Sequence, residues 1–422
     1  MFNVYSMPGM VFVQSTHVTP VAFLMGIAAF SSMDHTLEEG AAAAGGRPFR
    51  VFRTVTLPLM RPALAGALLL MFVQTISTFE VPQMLGLSAH KLVLATKIYS
   101  ALETFPPDYG TVGVIGFVTL AIAGAGVYVA HRLGRATGRA TITGKGHRAT
   151  VTQLGATRWL CFLCVCIFFI VTAVLPLAML IWSSLLPTYE APSVGALRRL
   201  TSHNYHAILS TPDLLQSLEH SLATAAVAAL AVTALCLVIA YISIKTDVPG
   251  RGILDFLATA PIAVPSIIMG VAVLYWYLVV PGPIHLYGTL AILVVAFVTI
   301  ALPYGIRYLS PGMSQISREL EEAATASGAA WRRVMLRVYL PLLSQSIVAA
   351  FLYSFIVAFR EISAPIFLYT QQTQVVSVKI YNLWVSGEFT IVSALGVVMV
   401  AVLAVAVLVV GLASRHLGVR PT

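Results

Sequence analysis

Three stretches carry side chains that could do chemistry. Residues 138–146, GRATITGKG, offer glycines and a lysine in the manner of a phosphate-binding loop. The order fails: five residues instead of four separate Gly138 from Gly144, and Gly146 follows Lys145 where Ser or Thr would hold magnesium. No strand signal flanks the stretch, so it reads as a basic linker. Cys161, Cys164 and Cys166 lie in CFLCVCIFFI with a metal-like spacing, yet they stand at the start of an apolar run. Small polarizable side chains pack well there, so these cysteines, with Cys236 in another apolar run, read as structural. No H-E-x-x-H and no paired carboxylates are placed for hydrolysis. The expectation is a chain that is not an enzyme and has no metal site. The third stretch is EEAATASGAAWRRVMLRVYLPLL at 321–343, acidic and then basic, with a near copy, LEEGAAAAGGRPFRVFRTVTLPLM, at 37–60. The alternative is an ordinary basic connector between spans, which explains the arginines but not a spacing kept in both copies, so the stretch reads as a docking surface.

The elements around these stretches are greasy. Of 422 residues, 58% are hydrophobic and 10% charged, against roughly 25% charged in an ordinary soluble domain. Apolar runs near or beyond about 18 residues read as bilayer spans. No alternating strands of about ten residues appear, which excludes a transmembrane barrel. Nine spans are predicted, at 11–31, 60–80, 111–131, 158–183, 219–243, 255–279, 287–306, 342–362 and 388–412. Segments 81–110 and 184–218 are too polar and proline-punctuated to cross. The start, MFNVYSMPGM, has no basic segment before its apolar run and is not a secretion signal. Tyr275, Trp276 and Tyr277 suit an interface belt.

The basic residues set the direction. With both copies of the charged stretch on the inner side, alternation leaves Lys91, Lys97, Arg198, Arg199, Arg360 and Lys379 outside, and the other Lys and Arg of the 25 inside. The net charge of +9 is therefore an orientation signal, and no nucleic-acid partner is expected. The C-terminus falls inside and the N-terminus of this chain outside.

The two copies align without a gap at an offset of 283 residues: Glu38 with Glu321, Glu39 with Glu322, Ala41 with Ala324, Gly45 with Gly328, and Leu57–Pro58 with Leu340–Pro341. Pro20 meets Pro303 and Pro82 meets Pro365, while KIYS at 97–100 pairs with KIYN at 379–382 after a slip of one residue. So many preserved spacings mark an internal repeat. Each copy predicts a short helix with acidic residues in its early turns, where the helix dipole favours them. A glycine turn follows, then a second helix bearing Arg50 and Arg53, or Arg332, Arg333 and Arg337. Leu-Pro then marks re-entry into the membrane, with proline in the first helical turn. The result is a stiff inner elbow, and Ala323, Ala324 and Ala326 leave room for a partner to pack closely.

These residues resemble the inner-membrane permease subunit of a binding-protein-dependent ABC importer, whose inner loop carries E-A-A-x3-G-x9-[IV]-x-L-P. Glu322, Ala323, Ala324, Gly328, Val338, Leu340 and Pro341 match in full. The first copy matches at Glu39, Ala41, Gly45, Val55, Leu57 and Pro58, with Gly40 replacing an alanine. Two such loops in one chain are similar to the fused permeases of the iron(III) type, as are NVYSMPGMVFVQ at 3–14, PFRVFRTVTLPL at 48–59 and FREISAPIFLY at 359–369. The resemblance implies an all-α polytopic membrane protein, a tandem repeat of type I importer permease domains. Residues 1–140 form a first half of three spans, 141–157 a basic cytoplasmic linker, and 158–422 a second half of six spans. Since six spans per half are implied, the first repeat reads as truncated.

The same resemblance implies a multi-pass protein of the bacterial inner membrane. Its partners would be the bilayer, a periplasmic binding protein that delivers the solute, and two copies of a cytoplasmic ATPase. ATP and Mg²⁺ would sit on that ATPase, and this chain would bind no cofactor. Glu39 and Glu322 are expected to position the elbows, beside Glu38 and Glu321, with Gly45 and Gly328 setting their turns. The solute would be iron(III) or a related small solute. Glu80, Arg360 and Glu361, polar groups near span ends, are candidate pathway residues, with snorkelling to the interface as the alternative. Pro261 and Pro265 in APIAVPSIIMG would break or kink a helix, as cavity-lining interruptions do. Two other readings stay open. A secondary transporter explains the spans but needs no repeated inner docking element, and an inactive scaffolding fragment explains the short first half.

Overall fold

The computed structural model describes residues 3–31, 36–138, 155, 157–280 and 286–416. The phosphate-loop-like stretch after Gly138 and most of the 141–157 linker lie outside the described residues. Among these residues every element is helical. Two compact units are present: Met1–Thr172 with Ala263–Ile267, and Ala173–Ile262 with Ile268–Thr422.

In chain order the first unit holds α1 (Met7–Ser31), α2 (Thr36–Ala43), α3 (Pro48–Val51), α4 (Leu57–Ile76), α5 (Leu94–Glu103), α6 (Tyr109–Gly138) and α7 (Thr157–Phe169). α4 packs on α6 and α1, and α5 packs on α6. α5 is amphipathic, not apolar all round: Ala95, Ile98, Tyr99 and Ala101 are buried, and Tyr99 meets Phe79 with ring centroids 5.3 Å apart. Asp108 starts α6 by accepting the Thr111 N–H at 2.9 Å, a side-chain cap on an otherwise unpaired donor. α7 exposes Trp159, Leu160, Phe162 and Val165, which suits hydrocarbon and not water.

The second unit holds α8 (Leu175–Ser184), α9 (Val194–Leu197), α10 (His203–Ser210), α11 (Pro212–Lys245), α12 (Arg251–Thr259), α13 (Ser266–Val279), α14 (Leu290–Gln315), α15 (Arg318–Ala326), α16 (Trp331–Val334), α17 (Leu340–Leu342), α18 (Ser344–Arg360), α19 (Pro365–Leu368), α20 (Val376–Val385) and α21 (Phe389–His416). Its centre is α11, which α14 and α18 flank. Ala225, Ala228, Ala229, Val232, Cys236 and Ala240 of α11 are buried, and such small side chains let helix backbones close up where hydrophobic drive is absent. Phe297, Phe355 and Phe359 fill the space between them.

Six helices among the described residues are long and apolar enough to cross a membrane, or nine if each bent pair counts as one span. Two of the bends explain themselves. Arg251–Ala263 and Ser266–Val279 meet at 111°, around Pro261 and Pro265, where the missing N–H groups and ring clashes stop a straight helix. Trp331–Leu342 and Ser344–Arg360 meet at 74° just after Pro341.

The internal repeat is also structural. Adding 283 to α3 gives the bounds of α16, and adding it to the π turn Phe52–Thr56 gives the π turn Met335–Tyr339. Adding 282 to α5 gives α20. The slip of one residue falls in the intervening turns: in the first copy a 3-10 turn, Leu87–Ala89, ends on His90 at φ 53°.

Candidate functional site: two repeated elbows

Each elbow begins with a helix whose N-terminal turns are acidic, Glu38 and Glu39 on α2, Glu319 and Glu321 on α15. Both helices end the same way. Gly328 takes φ 78° and donates to Thr325 O at 2.9 Å, while Ala329 donates to Ala324 O at 3.1 Å. Gly45 takes φ 84° and donates to Ala42 O at 2.9 Å, while Gly46 donates to Ala41 O at 3.1 Å. This pair of bonds is a left-handed cap that satisfies the last carbonyls. A Cβ at either glycine would meet nothing within 4 Å. Backbone torsion therefore demands glycine here, and crowding does not.

The second arm departs from the sequence expectation. Leu-Pro does not open a new helix: Pro58 and Pro341 follow a π turn in a helix already begun at Pro48 and Trp331. Proline at 341 cannot donate to the carbonyl four residues back, and its ring crowds that carbonyl. The wider turn relieves this, with Leu340 N–H reaching Met335 O and, in the other copy, Leu57 N–H reaching Phe52 O.

What holds the arms together is also not what the motif suggested. Glu39 and Glu322, the expected positioning residues, are exposed. Their neighbours make the ties. Glu321 accepts the Tyr339 hydroxyl at 2.6 Å on one oxygen and the Tyr241 hydroxyl at 2.9 Å on the other. Glu38 accepts the hydroxyl of Thr56, the repeat counterpart of Tyr339. Tyr339 is fully buried, and its ring meets Tyr241 edge-on at 5.5 Å, while the Trp331 ring also meets Tyr241, at 6.0 Å. Lys245 at the end of α11 adds a bond to Ile316 O, just before α15. The second elbow is thereby fastened to α11. One sequence signal could have found the tie: in both copies an acid precedes a hydroxyl by 18 residues.

The faces left open also repeat. Leu37 and Leu320, at matching positions in the first turn of each motif helix, are 51% and 48% exposed. Glu39 and Glu322, two residues further on, are exposed as well, with Ala323 open in the second copy. Ala41, Ala324, Val55 and Val338 are half-buried, as are Leu57 and Leu340. Pro58 is half-buried and Pro341 exposed. Arg50 and Arg53 in one copy, and Arg332, Arg333 and Arg337 in the other, are exposed.

The candidate pathway residues do not form one cluster with the elbows. Glu80 is half-buried just past the end of α4. Pro261 lies in the 3-10 turn Ala260–Ala263, and Pro265 follows it at the bend. Arg360 ends α18 and is exposed. Glu361 accepts the N–H groups of Ser363 at 2.9 Å and Ala364 at 3.4 Å, capping the turn after α18. At its repeat counterpart, Thr78 accepts from Gln14 Nε2 at 3.0 Å.

Comparison with known proteins follows this geometry. The family model described as "binding-protein-dependent transport system inner membrane component" matches residues 1–140 and 237–419. The ferric transport system permease protein FbpB of Actinobacillus pleuropneumoniae is 26% identical over 402 residues, 94% of this chain and 57% of that protein. A putative ferric transport system permease, FbpB 1 of Haemophilus influenzae, is 28% identical over 375 residues, 88% of this chain and 58% of its own length. The chain thus spans somewhat over half the length of these relatives. A bacterial ABC transporter that imports the acidic polysaccharide alginate shares the fold, with a TM-score of 0.51 and 15% identity over 61% of this chain and 95% of that one.

Proposed function

Because the chain belongs to the family of binding-protein-dependent transport system inner membrane components, we propose that it supplies the membrane-spanning pathway of an ATP-driven solute importer. Two copies of a cytoplasmic ATPase dock on the elbows at 38–58 and 321–341, and a periplasmic binding protein presents the solute from outside. ATP hydrolysis, with its Mg²⁺, belongs to the ATPase. This chain contributes no reacting group; it converts movement of the docked subunit into movement of its spans. The positive-inside distribution of Lys and Arg supports elbows and C-terminus on the cytoplasmic face.

One observation carries this reading: in both copies an acid–hydroxyl tie fastens the elbow while the leucine before that acid and the glutamate after it, on its two flanks, stay open. A helix held along one line and bare on its flanks can receive a push and pass it on. In the second copy the push reaches α11 through Tyr241 and Lys245.

The solute reading, iron(III) or a related small solute, rests on likeness to the ferric permeases. The test is uptake into proteoliposomes holding this chain, its ATPase and its binding protein. ATP-dependent uptake of labelled iron(III) that ceases when the ATPase is omitted is the expected result. Uptake driven by an ion gradient without ATP would favour a secondary transporter. No uptake under either condition would favour a scaffolding fragment.

A further inference from the structure

Three tyrosines meet between α14 and α18. The Tyr353 ring lies 5.2 Å from Tyr304 and 5.4 Å from Tyr308, centroid to centroid. Tyr304 and Tyr308 are one helical turn apart on α14, so both present to the same side. Among the described residues none of the three hydroxyls has a hydrogen-bond partner. A phenol O–H left unpaired in hydrocarbon is costly, and three on one seam call for a polar occupant or water.

Packing does not explain them. At the repeat offset their counterparts are Val21, Met25 and Leu70, all apolar, on the corresponding helices α1 and α4. The same seam can therefore be built without a polar atom. Two guanidiniums flank the cluster, Arg307 toward its inner end and Arg360 toward its outer end. Arg307 stands between Tyr304 and Tyr308 on α14, and Arg360 lies on the Tyr353 face of α18, about 10 Å further along at 1.5 Å per residue. Both are exposed, and among the described residues neither has an ion-pair partner. The adjacent carboxylate, Glu361, is turned onto the backbone N–H groups of Ser363 and Ala364.

Resting on the permease reading above, we propose that Tyr304, Tyr308 and Tyr353, with Arg307 and Arg360, form a solute site for an oxygen-rich anion. The donors suit it: phenols give O–H bonds to oxyanions, and guanidiniums pair with carboxylate or phosphate oxygens. They do not suit a bare metal cation, because the cluster has positive charge and no free carboxylate. Iron would cross here as an anionic chelate, its oxygen ligands still attached.

The test is equilibrium binding to the full chain in lipid nanodiscs, probed with ferric citrate, citrate alone, sulfate and manganese(II). Saturable, salt-sensitive binding of the anions and none of manganese is expected. Ferric citrate binding tighter than citrate or sulfate identifies the chelate as the source, and the reverse identifies a free oxyanion. Tyr353→Phe, which keeps the ring, should weaken binding about tenfold, the effect of losing one hydrogen bond to a charged acceptor. Arg360→Gln should weaken it at least as much, while Tyr189→Phe, at a ring outside the cluster, should not. A visible phenolate-to-iron charge-transfer band that vanishes in Tyr353→Phe would overturn the proposal, because the tyrosines would then ligate the metal directly. Equal anion affinity in wild type and Tyr353→Phe would overturn it too, as would no anion binding at all. Cross-linking of the Glu322→Cys variant to the ATPase reports the permease reading separately. If that cross-link forms while the anion results fail, only the site falls.

Discussion

The Tyr339 hydroxyl donates to Glu321 at 2.6 Å, and 283 residues earlier Thr56 donates to Glu38 in the same place. The chemistry of the donor differs, a buried phenol in one half and a threonine in the other, while the bond persists. What the repeat has kept is therefore a restraint between the two arms of each elbow. In the second half the same carboxylate also takes the Tyr241 hydroxyl, which makes Glu321 the joint between the motif helix and α11.

Tyr339→Phe removes one donor to Glu321 and Tyr241→Phe the other. Each should cost about 1 kcal/mol of stability, and Glu321→Ala should cost more, about 1–3 kcal/mol, since it strands a buried phenol. Thermal unfolding in detergent gives the ranking. If the joint transmits force, solute-stimulated ATP hydrolysis should fall in Glu321→Ala while basal hydrolysis persists. Equal stimulation in wild type and variant would reduce the joint to a stability element.

At Gly328 the left-handed backbone predicts an order of substitutions. Asn, which tolerates that region, should be mild; Asp should be worse because it adds charge to a docking face; Val should be worst, since a β-branched side chain there costs of order 1–2 kcal/mol. ATP-driven uptake in proteoliposomes should follow the same order. Full uptake with full solute-stimulated hydrolysis in both Gly328→Asp and Gly328→Val would remove the glycine cap from the mechanism.

Gly40 lies inside α2 with nothing within 4 Å of an added Cβ. Gly40→Ala should therefore stabilise the first motif helix by up to about 1 kcal/mol. Slower amide hydrogen exchange over residues 36–43 is the expected readout. Unchanged or faster exchange would mean that α2 is not limited by its own helix propensity.

Orientation is open to labelling. In a background with the native cysteines replaced, Glu322→Cys and Glu39→Cys should resist a membrane-impermeant thiol reagent in intact cells and react once the membrane is opened. Arg199→Cys should react in both conditions. Labelling of position 39 or 322 from outside would end the docking proposal.

Much of this was legible in the chain itself. Apolar length determined that helices cross, because hydrocarbon leaves no alternative for unpaired backbone groups. The offset of 283 residues located both elbows, since Gly45 and Gly328 need a left-handed turn wherever they sit, and Pro261 and Pro265 foretold a bend for a local steric reason. Tertiary structure decided what depends on partners distant in sequence. Local reading assigned Glu39 and Glu322 to position the elbows because the motif begins there; only contact with Tyr241, 80 residues away, shows that Glu321 ties the second elbow to α11. Local reading also opened a helix at Leu-Pro, whereas the chain continues through a π turn from the preceding arm. The meeting of Tyr304, Tyr308 and Tyr353 had no signal in spacing at all, because it exists only once α14 and α18 lie side by side.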